Sequence, residues 1–356
     1  MSKSAILLVS NPTHYTNALD FVAQFNSEID RFELLIVSEF TAGIEEINRG
    51  INELPWYSSQ TFTNYRMSGY LGWRKTYAIL VKEILAKDFD YYVISNFSDP
   101  LHYLLCLKLR ADNKQIIALD DGTPTLKDLW NRRLNLDYKT YHLPSFKVLL
   151  RILFVTKTFL PFCKTIDKLI FFSIFQVEPM GQDSLIYNEM ILSKQRAVPA
   201  LLRKEEVYFL GSQMVDKGLV NMTVYLNSLK KISAYFENIG LKVKYIMHRA
   251  ASEKIIEEVS KILEVTSFPS PIESVISDSE TKPIAVGSFF SSALFSLREL
   301  DPDLRLYAFK FRDDEIIGNA VETKDYIQLV YQTLILDARI NVIPLDNILM
   351  DKSNVK

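Results

Sequence analysis

Several short stretches place reactive side chains directly after apolar runs. Gln115 to Leu119 is followed by Asp120-Asp121-Gly122, and Glu206 to Leu210 by Gly211-Ser212-Gln213. Tyr245-Ile246-Met247 leads into His248-Arg249, and Ile284-Ala285-Val286 into Gly287 and then Ser291-Ser292, with Pro271-Ile272-Glu273 between them. Adjacent carboxylates can supply a general base, and each raises the other's apparent pKa. An imidazole and a guanidinium at a strand end can meet phosphate. A glycine before a helix lets backbone approach a nucleotide, and hydroxyls at a helix start suit an anion. Each feature also has a plain structural use: a turn at Asp120-Asp121-Gly122, a strand-end cation at Arg249, a helix cap at Ser291-Ser292. Their convergence on strand ends is what points to a ligand crevice, because ligands of open α/β sheets sit outside the carboxyl ends of the strands.

The elements that would carry them alternate. Ala5 to Val9 is a short buried strand stopped by Asn11-Pro12, helical spacing follows at 17–23, and Phe32 to Val37 is a second strand. This β-α-β opening makes a parallel sheet the default. Residues 52–73 read as an aromatic and polar loop, a structural packing segment or an acceptor surface. The second half repeats the pattern: strands at 206–210, 242–247, 284–286 and 304–311, with helices at 223–238, 252–263 and 324–337. The expected class is α/β of GT-B type, two facing Rossmann-like domains with parallel sheets and a cleft between them. The expected boundaries are 1–200, 201–322, and 323–356 as a helix crossing back plus a tail.

Composition bounds the alternatives. The chain has 356 residues, 48% apolar and 24% charged, enough for two ordinary cores. A net charge of −2 gives no electrostatic case for nucleic acid. Cys106 and Cys163 lack metal-ligand spacing and read as reduced core thiols of a cytoplasmic protein. Residues 146–177 mix Phe, Leu and Ile with Lys147, Arg151, Lys157, Lys164 and Lys168. That suits either a helical excursion packed on the first domain, an oligomer contact, or a helix lying on an anionic membrane surface over 146–175. No uncharged run is long enough to span a bilayer.

Taken in order, Asp120-Asp121-Gly122, Gly211-Ser212-Gln213, His248, Pro271-Ile272-Glu273 and Ser291-Ser292 resemble the bacterial sialyltransferases and polysialyltransferases of GT-B fold. Ser10-Asn11-Pro12 and Asn17-Ala18-Leu19 are similar to their first strand, loop and helix. The resemblance covers most of the chain and is thinnest over 130–200. His248 is followed by Arg249 where those families have Pro, and Thr13-His14 stands where several have Leu-Gln. The resemblance implies an inverting, metal-independent transfer of sialic acid, or a related nonulosonic acid, from its CMP donor to a glycan or glycolipid hydroxyl. No cofactor beyond the activated sugar is implied. Asp120 would be the base, with Asp121 as the alternative, and His248 would donate a hydrogen bond to the departing phosphate. Gly211, Ser212, Gln213, Arg249, Ser291 and Ser292 would hold the donor, and Glu273 its ribose. Asn11, Thr13, His14 and Asn17 would face the acceptor. Such an enzyme would be cytoplasmic, peripheral on the membrane's inner face. The competing readings are another sugar nucleotide (CMP-Kdo or an NDP-hexose), a non-catalytic sugar-nucleotide-binding subunit, and a membrane-surface scaffold built on 146–175.

Overall fold

A computed structural model describes residues 2–38, 41–54, 56–63, 69–95, 97, 100–111, 114–133, 166, 168–179, 181–248, 250–317 and 321–348. The chain divides into two compact units, Met1–Ser193 and Lys194–Lys356. This division lies upstream of the boundary expected near residue 200.

The first unit alternates strand and helix: β1 (Ser4–Val9), α1 (Pro12–Phe25), β2 (Arg31–Ser38), α2 (Thr41–Gly50), β3 (Ser58–Thr63), α3 (Gly69–Ala86), β4 (Tyr91–Ile94), α4 (Pro100–Ala111), β5 (Gln115–Leu119), α5 (Thr123–Arg133), β6 (Ile170–Ser173) and β7 (Ser184–Tyr187). The strands form one parallel sheet of seven in the order β3-β2-β1-β4-β5-β6-β7. Strands buried on both faces must be apolar throughout, and Ala5 to Val9 reads that way. One core, with Leu8, Tyr92, Leu105 and Phe171, fills one face. The other, with Leu7, Phe21, Val93 and Phe172, fills the opposite face.

Two expectations change here. The segment read as a loop contains β3, an edge strand of Ser-Ser-Gln-Thr-Phe-Thr whose polarity hid it. Residues 170–173, read as part of a helical excursion, are instead buried strand β6, paired with β5 and β7. Their continuous apolar run is what a doubly covered strand requires. Residues 146–165 and 167 of the proposed membrane-surface stretch lie outside the described residues.

The second unit contains β8 (Leu202–Leu210), α7 (Met222–Glu237), β9 (Lys242–Ile246), α8 (Glu253–Ser260), β10 (Glu264–Thr266), α9 (Ile272–Ser277), β11 (Thr281–Ser288), α10 (Ala293–Leu300), β12 (Arg305–Lys310), α11 (Val321–Leu336) and β13 (Ile340–Pro344). The short helix α6 (Ile191–Arg196) carries the chain across the division. The sheet is again parallel, six strands in the order β10-β9-β8-β11-β12-β13. Residues after 322, expected as a helix crossing back, group with this unit: β13 extends the sheet beside β12, and Tyr331 Oη donates to Phe309 O at 3.0 Å. Aromatic rings dominate its core, with Phe209, Tyr225, Phe236, Tyr245, Phe289 and Phe309 all buried. Among the described residues, no helix is long and apolar enough to cross a membrane.

Candidate functional site

In both sheets the chain builds outward from one central strand, then returns to build on its other side. That reversal falls between β1 and β4 in the first unit and between β8 and β11 in the second. Loops leaving the carboxyl ends of neighbouring strands part there, opening a crevice on one edge. Because the strands are parallel, every strand-end residue of a unit emerges on that same edge.

In the first unit this edge brings β1 and β5 residues together. Asn11 caps α1, its Oδ1 accepting the His14 N–H at 2.9 Å, and Pro12 takes the first-turn position that needs no N–H donor. The cap sets the His14 ring against the β5 loop, with Nε2 2.6 Å from Asp121 Oδ1. A carboxylate only accepts, so the Nε2 hydrogen points at Asp121 in the neutral ring. The Asn11 amide nitrogen, 3.2 Å from Nε2, then packs without bonding. His14 Nδ1 is buried with no hydrogen-bond partner among the described residues. The His14 side chain is 1% exposed and that of Asp121 26%. The pair therefore shows solvent a carboxylate, held from below by a buried imidazole.

The loop around it is fixed on both sides. Asn17 Nδ2 donates to Asp120 O at 2.9 Å, and the Asp121 N–H to Thr125 Oγ1 at 2.8 Å. Gly122 turns the chain at φ +73°, a left-handed conformation that a side chain would strain. Asp120, the base expected from the sequence, sits beneath this loop at 3% exposure. Its Oδ2 accepts the Ile174 N–H at 2.7 Å, joining the end of β5 to the end of β6. Burial pushes its pKa up to about 7, against the hydroxyls of Ser173 and Thr125 and the Ile174 amide, with the Asp121 charge adding to the rise. Asp120 thus positions the loop, while Asp121 reaches solvent. Thr13 is exposed on the first turn of α1. Thr125, Ser173 and Ile174 were not singled out from sequence. Asp120-Asp121-Gly122-Thr123 is a turn signature, and Thr125 lies just two residues beyond it, but Ser173 and Ile174 carry no comparable signal.

In the second unit the strand-end residues group around the β8/β11 reversal. Gly211 follows β8 and donates its N–H to Ile246 O at 2.9 Å. A Cβ there would overlap the Tyr245 hydroxyl and fall 3.0 Å from Ile246 O, so only glycine fits. That hydroxyl pairs with Tyr225 Oη at 2.9 Å beneath the loop. Gln213, expected to touch nucleotide, donates from Nε2 to Ala250 O at 3.0 Å, and the Ser252 N–H donates to Asp216 Oδ2 at 3.2 Å. Both bonds tie the β8 loop to the β9 loop, which carries His248. The Ala250 N–H donates to His248 Nδ1 at 3.1 Å, placing the neutral ring's proton on Nε2. Glu273 is half-buried in the first turn of α9, beyond β10. Ser291 Oγ accepts the Ala293 N–H, the first of α10, at 3.3 Å, and Ser292 stands at that helix's N-cap without a side-chain cap bond. Ser212 is half-buried in the β8 loop. Arg249 lies outside the described residues. Among the described residues, no group of His, Cys, Asp and Glu is arranged to hold a metal ion.

No family model matches the sequence, and no curated protein matches it. Solved structures do. A Listeria monocytogenes protein described as a UDP-N-acetylglucosamine 2-epimerase aligns over 97% of this chain and 85% of its own, at 11% identity and a TM-score of 0.56. A UDP-glucosyltransferase from Polygonum tinctorium covers 97% and 85%, at 10% identity and a TM-score of 0.48. MurG of Acinetobacter baumannii covers 98% and 87%, at 9% identity and a TM-score of 0.43. The two parallel-sheet α/β units are those of the GT-B fold class, as the sequence led us to expect.

Proposed function

We propose that the chain is a glycosyltransferase that moves a sugar from a sugar nucleotide to an acceptor hydroxyl, with Asp121 as the base. The observation that carries this reading is the partly exposed Asp121 carboxylate held at 2.6 Å by the buried His14 imidazole. One Asp121 oxygen is occupied by His14, so the other is left for an incoming hydroxyl. Such a base contributes roughly 10²–10⁴-fold when it lies within hydrogen-bond reach of the proton it takes. Asp120 is ill placed for this contact because it is buried under the same loop. Asn11 and Asn17 then serve the acceptor side indirectly, by fixing His14 and the Asp121 loop. Thr13, exposed beside them, is the acceptor-facing member of that turn.

The second unit would hold the donor at the β8/β11 reversal. Gly211 admits the nucleotide to the backbone, and Ser291 and Ser292 meet its phosphate. Glu273 accepts from the ribose hydroxyls, and His248 donates from Nε2 to the phosphate as the bond to the sugar breaks. On the resemblance to bacterial sialyltransferases, the donor is a CMP-linked nonulosonic acid and the acceptor a glycan or glycolipid. A second reading, a UDP-linked sugar, is favoured by the Listeria protein of TM-score 0.56, whose description names a UDP-sugar substrate. Competition calorimetry with CMP, UDP and GDP separates them. The CMP reading requires CMP to bind at least tenfold more tightly than UDP, a difference of about 1.4 kcal/mol. The reverse order would move the proposal to UDP sugars, and binding of none would remove the sugar-nucleotide reading.

A further inference from the structure

Lys310 closes β12, the strand next to β11, on the edge where the donor would lie. Register fixes its neighbours. Ser288, the last residue of β11, pairs with Ala308, so Ser288 and Lys310 are diagonal neighbours on one face of the sheet. The opposite face is taken by Gly287, whose Cβ position looks onto Phe209 and Phe309. On the Lys310 face, the ammonium lies 5.8 Å from the centre of the Tyr331 ring. Tyr331 in turn meets Phe290 edge to face, with centroids 6.2 Å apart. Phe290 immediately precedes Ser291. The cation is thus tied through two rings to the Ser291-Ser292 turn.

Two polar groups here lack a counterpart. Two other half-buried cations of this unit hold carboxylates: Lys244 has Glu206 at 2.9 Å, and Arg203 has Asp301 at 2.6 Å. Half-buried Lys310 has no carboxylate among the described residues, only the face of Tyr331. Ser288 is 0% exposed, and its Oγ has no hydrogen-bond partner among the described residues. A buried hydroxyl left without a partner is costly unless something else pairs with it, and a cation on the same face of the sheet can draw an anion there. A bound anion would satisfy Lys310 directly and Ser288 directly or through one water.

We infer that Lys310, with Ser288 as its diagonal neighbour on the same face of the sheet, forms an oxyanion subsite that binds an anionic group of the sugar-nucleotide donor. This deepens the functional reading above and rests on it. The oxyanion is the nucleotide phosphate or a carboxylate on the sugar, and the two differ in what each ligand must carry. Tyr331, buried and anchored to Phe309 O, fixes the ammonium's height over the sheet. Lys310 is a compact point charge and tolerates either anion.

The test is calorimetric binding of inorganic pyrophosphate, CMP and CMP-sialic acid to the full chain, comparing wild type with K310M, K310Q, K310R and S288A. A charge-assisted hydrogen bond is worth about 1.5–3 kcal/mol, so K310M and K310Q should bind at least about tenfold more weakly. K310R should recover most of the loss, and S288A should give a smaller one. Melting temperatures should stay near wild type, because Lys310 holds no ion pair. Loss for pyrophosphate and CMP assigns the phosphate. Loss for CMP-sialic acid alone assigns the sugar carboxylate. Wild-type affinity for all three in K310M and K310Q overturns the subsite. Lys310-dependent pyrophosphate binding without nucleotide binding would keep the subsite and remove the sugar-nucleotide reading. Binding of neither would remove both.

Discussion

His14 and Asp121 stand 107 residues apart in the chain and 2.6 Å apart in the first unit. The contact exists because β1 and β5 run parallel and release their following loops on the same edge. It gives the partly exposed carboxylate a fixed orientation.

Replacing Asp121 removes the proposed base. D121N should lower kcat by about 10²–10⁴-fold while leaving donor affinity near wild type. Steady-state kinetics with a separate binding measurement checks this. A comparable loss in D120N with D121N unaffected would return the base to Asp120.

His14 acts through Asp121, as a positioning residue. H14A should cost about tenfold or more in kcat, and H14Q less, because the glutamine amide can still donate to the carboxylate. The split between kcat and KM separates this from a packing defect. Loss of the His14 hydrogen bond should lower kcat in H14A, with recovery in H14Q, while KM and melting temperature stay near wild type. Equal kcat values in both variants would leave His14 with only a packing role.

Asp120 makes stability depend on pH. Its carboxyl is raised to about 7 by burial, so the folded chain holds a proton that the unfolded chain releases near the ordinary Asp value of about 4. The folded state therefore loses stability as pH rises from about 4 to about 7, by at most roughly 4 kcal/mol. D120N keeps an acceptor for the Ile174 N–H and removes the titration. Urea unfolding across this range should show the wild-type decline and a flatter D120N. Parallel curves would mean that Asp120 does not titrate in that window.

Glu299 acts with the opposite sign. Burial opposes its charge, but Lys194, at 2.9 Å, and Arg339 outweigh it and hold its pKa at about 2. That stability is present above the ordinary Glu value of about 4.3 and is lost as pH falls toward about 2. E299Q should be less stable than wild type at pH 7 and converge with it in acid, measured by thermal melting.

Gly211 has no room for a methyl group above Tyr245. G211A should displace the β8 loop and weaken nucleotide binding more than it lowers the melting temperature. A variant that binds nucleotide as wild type does would place the donor elsewhere.

Much of this was legible in the sequence where local pattern and tertiary environment agree. Gln115 to Leu119 announces a doubly covered strand, and Asp120-Asp121-Gly122 a turn beyond it. The roles within that turn were not legible. Burial separates Asp120 from Asp121, and Asp120 is tied to Ile174, just past the end of β6, in a stretch that reads from sequence as part of a helical excursion. β3 escaped because an edge strand facing solvent need not be apolar. Gln213 looked like a ligand contact because nothing in its neighbourhood foretells the carbonyl of Ala250.

The most direct test is metal-free turnover of CMP-sialic acid over a panel of galactosides, sialosides and glycolipids, with wild type beside D121N and H248A. The account predicts CMP release coupled to a glycan product, lost in D121N and strongly reduced in H248A. Turnover unaffected by D121N would contradict the assigned base. No turnover of CMP-sialic acid, with turnover of a UDP sugar instead, would contradict the CMP donor.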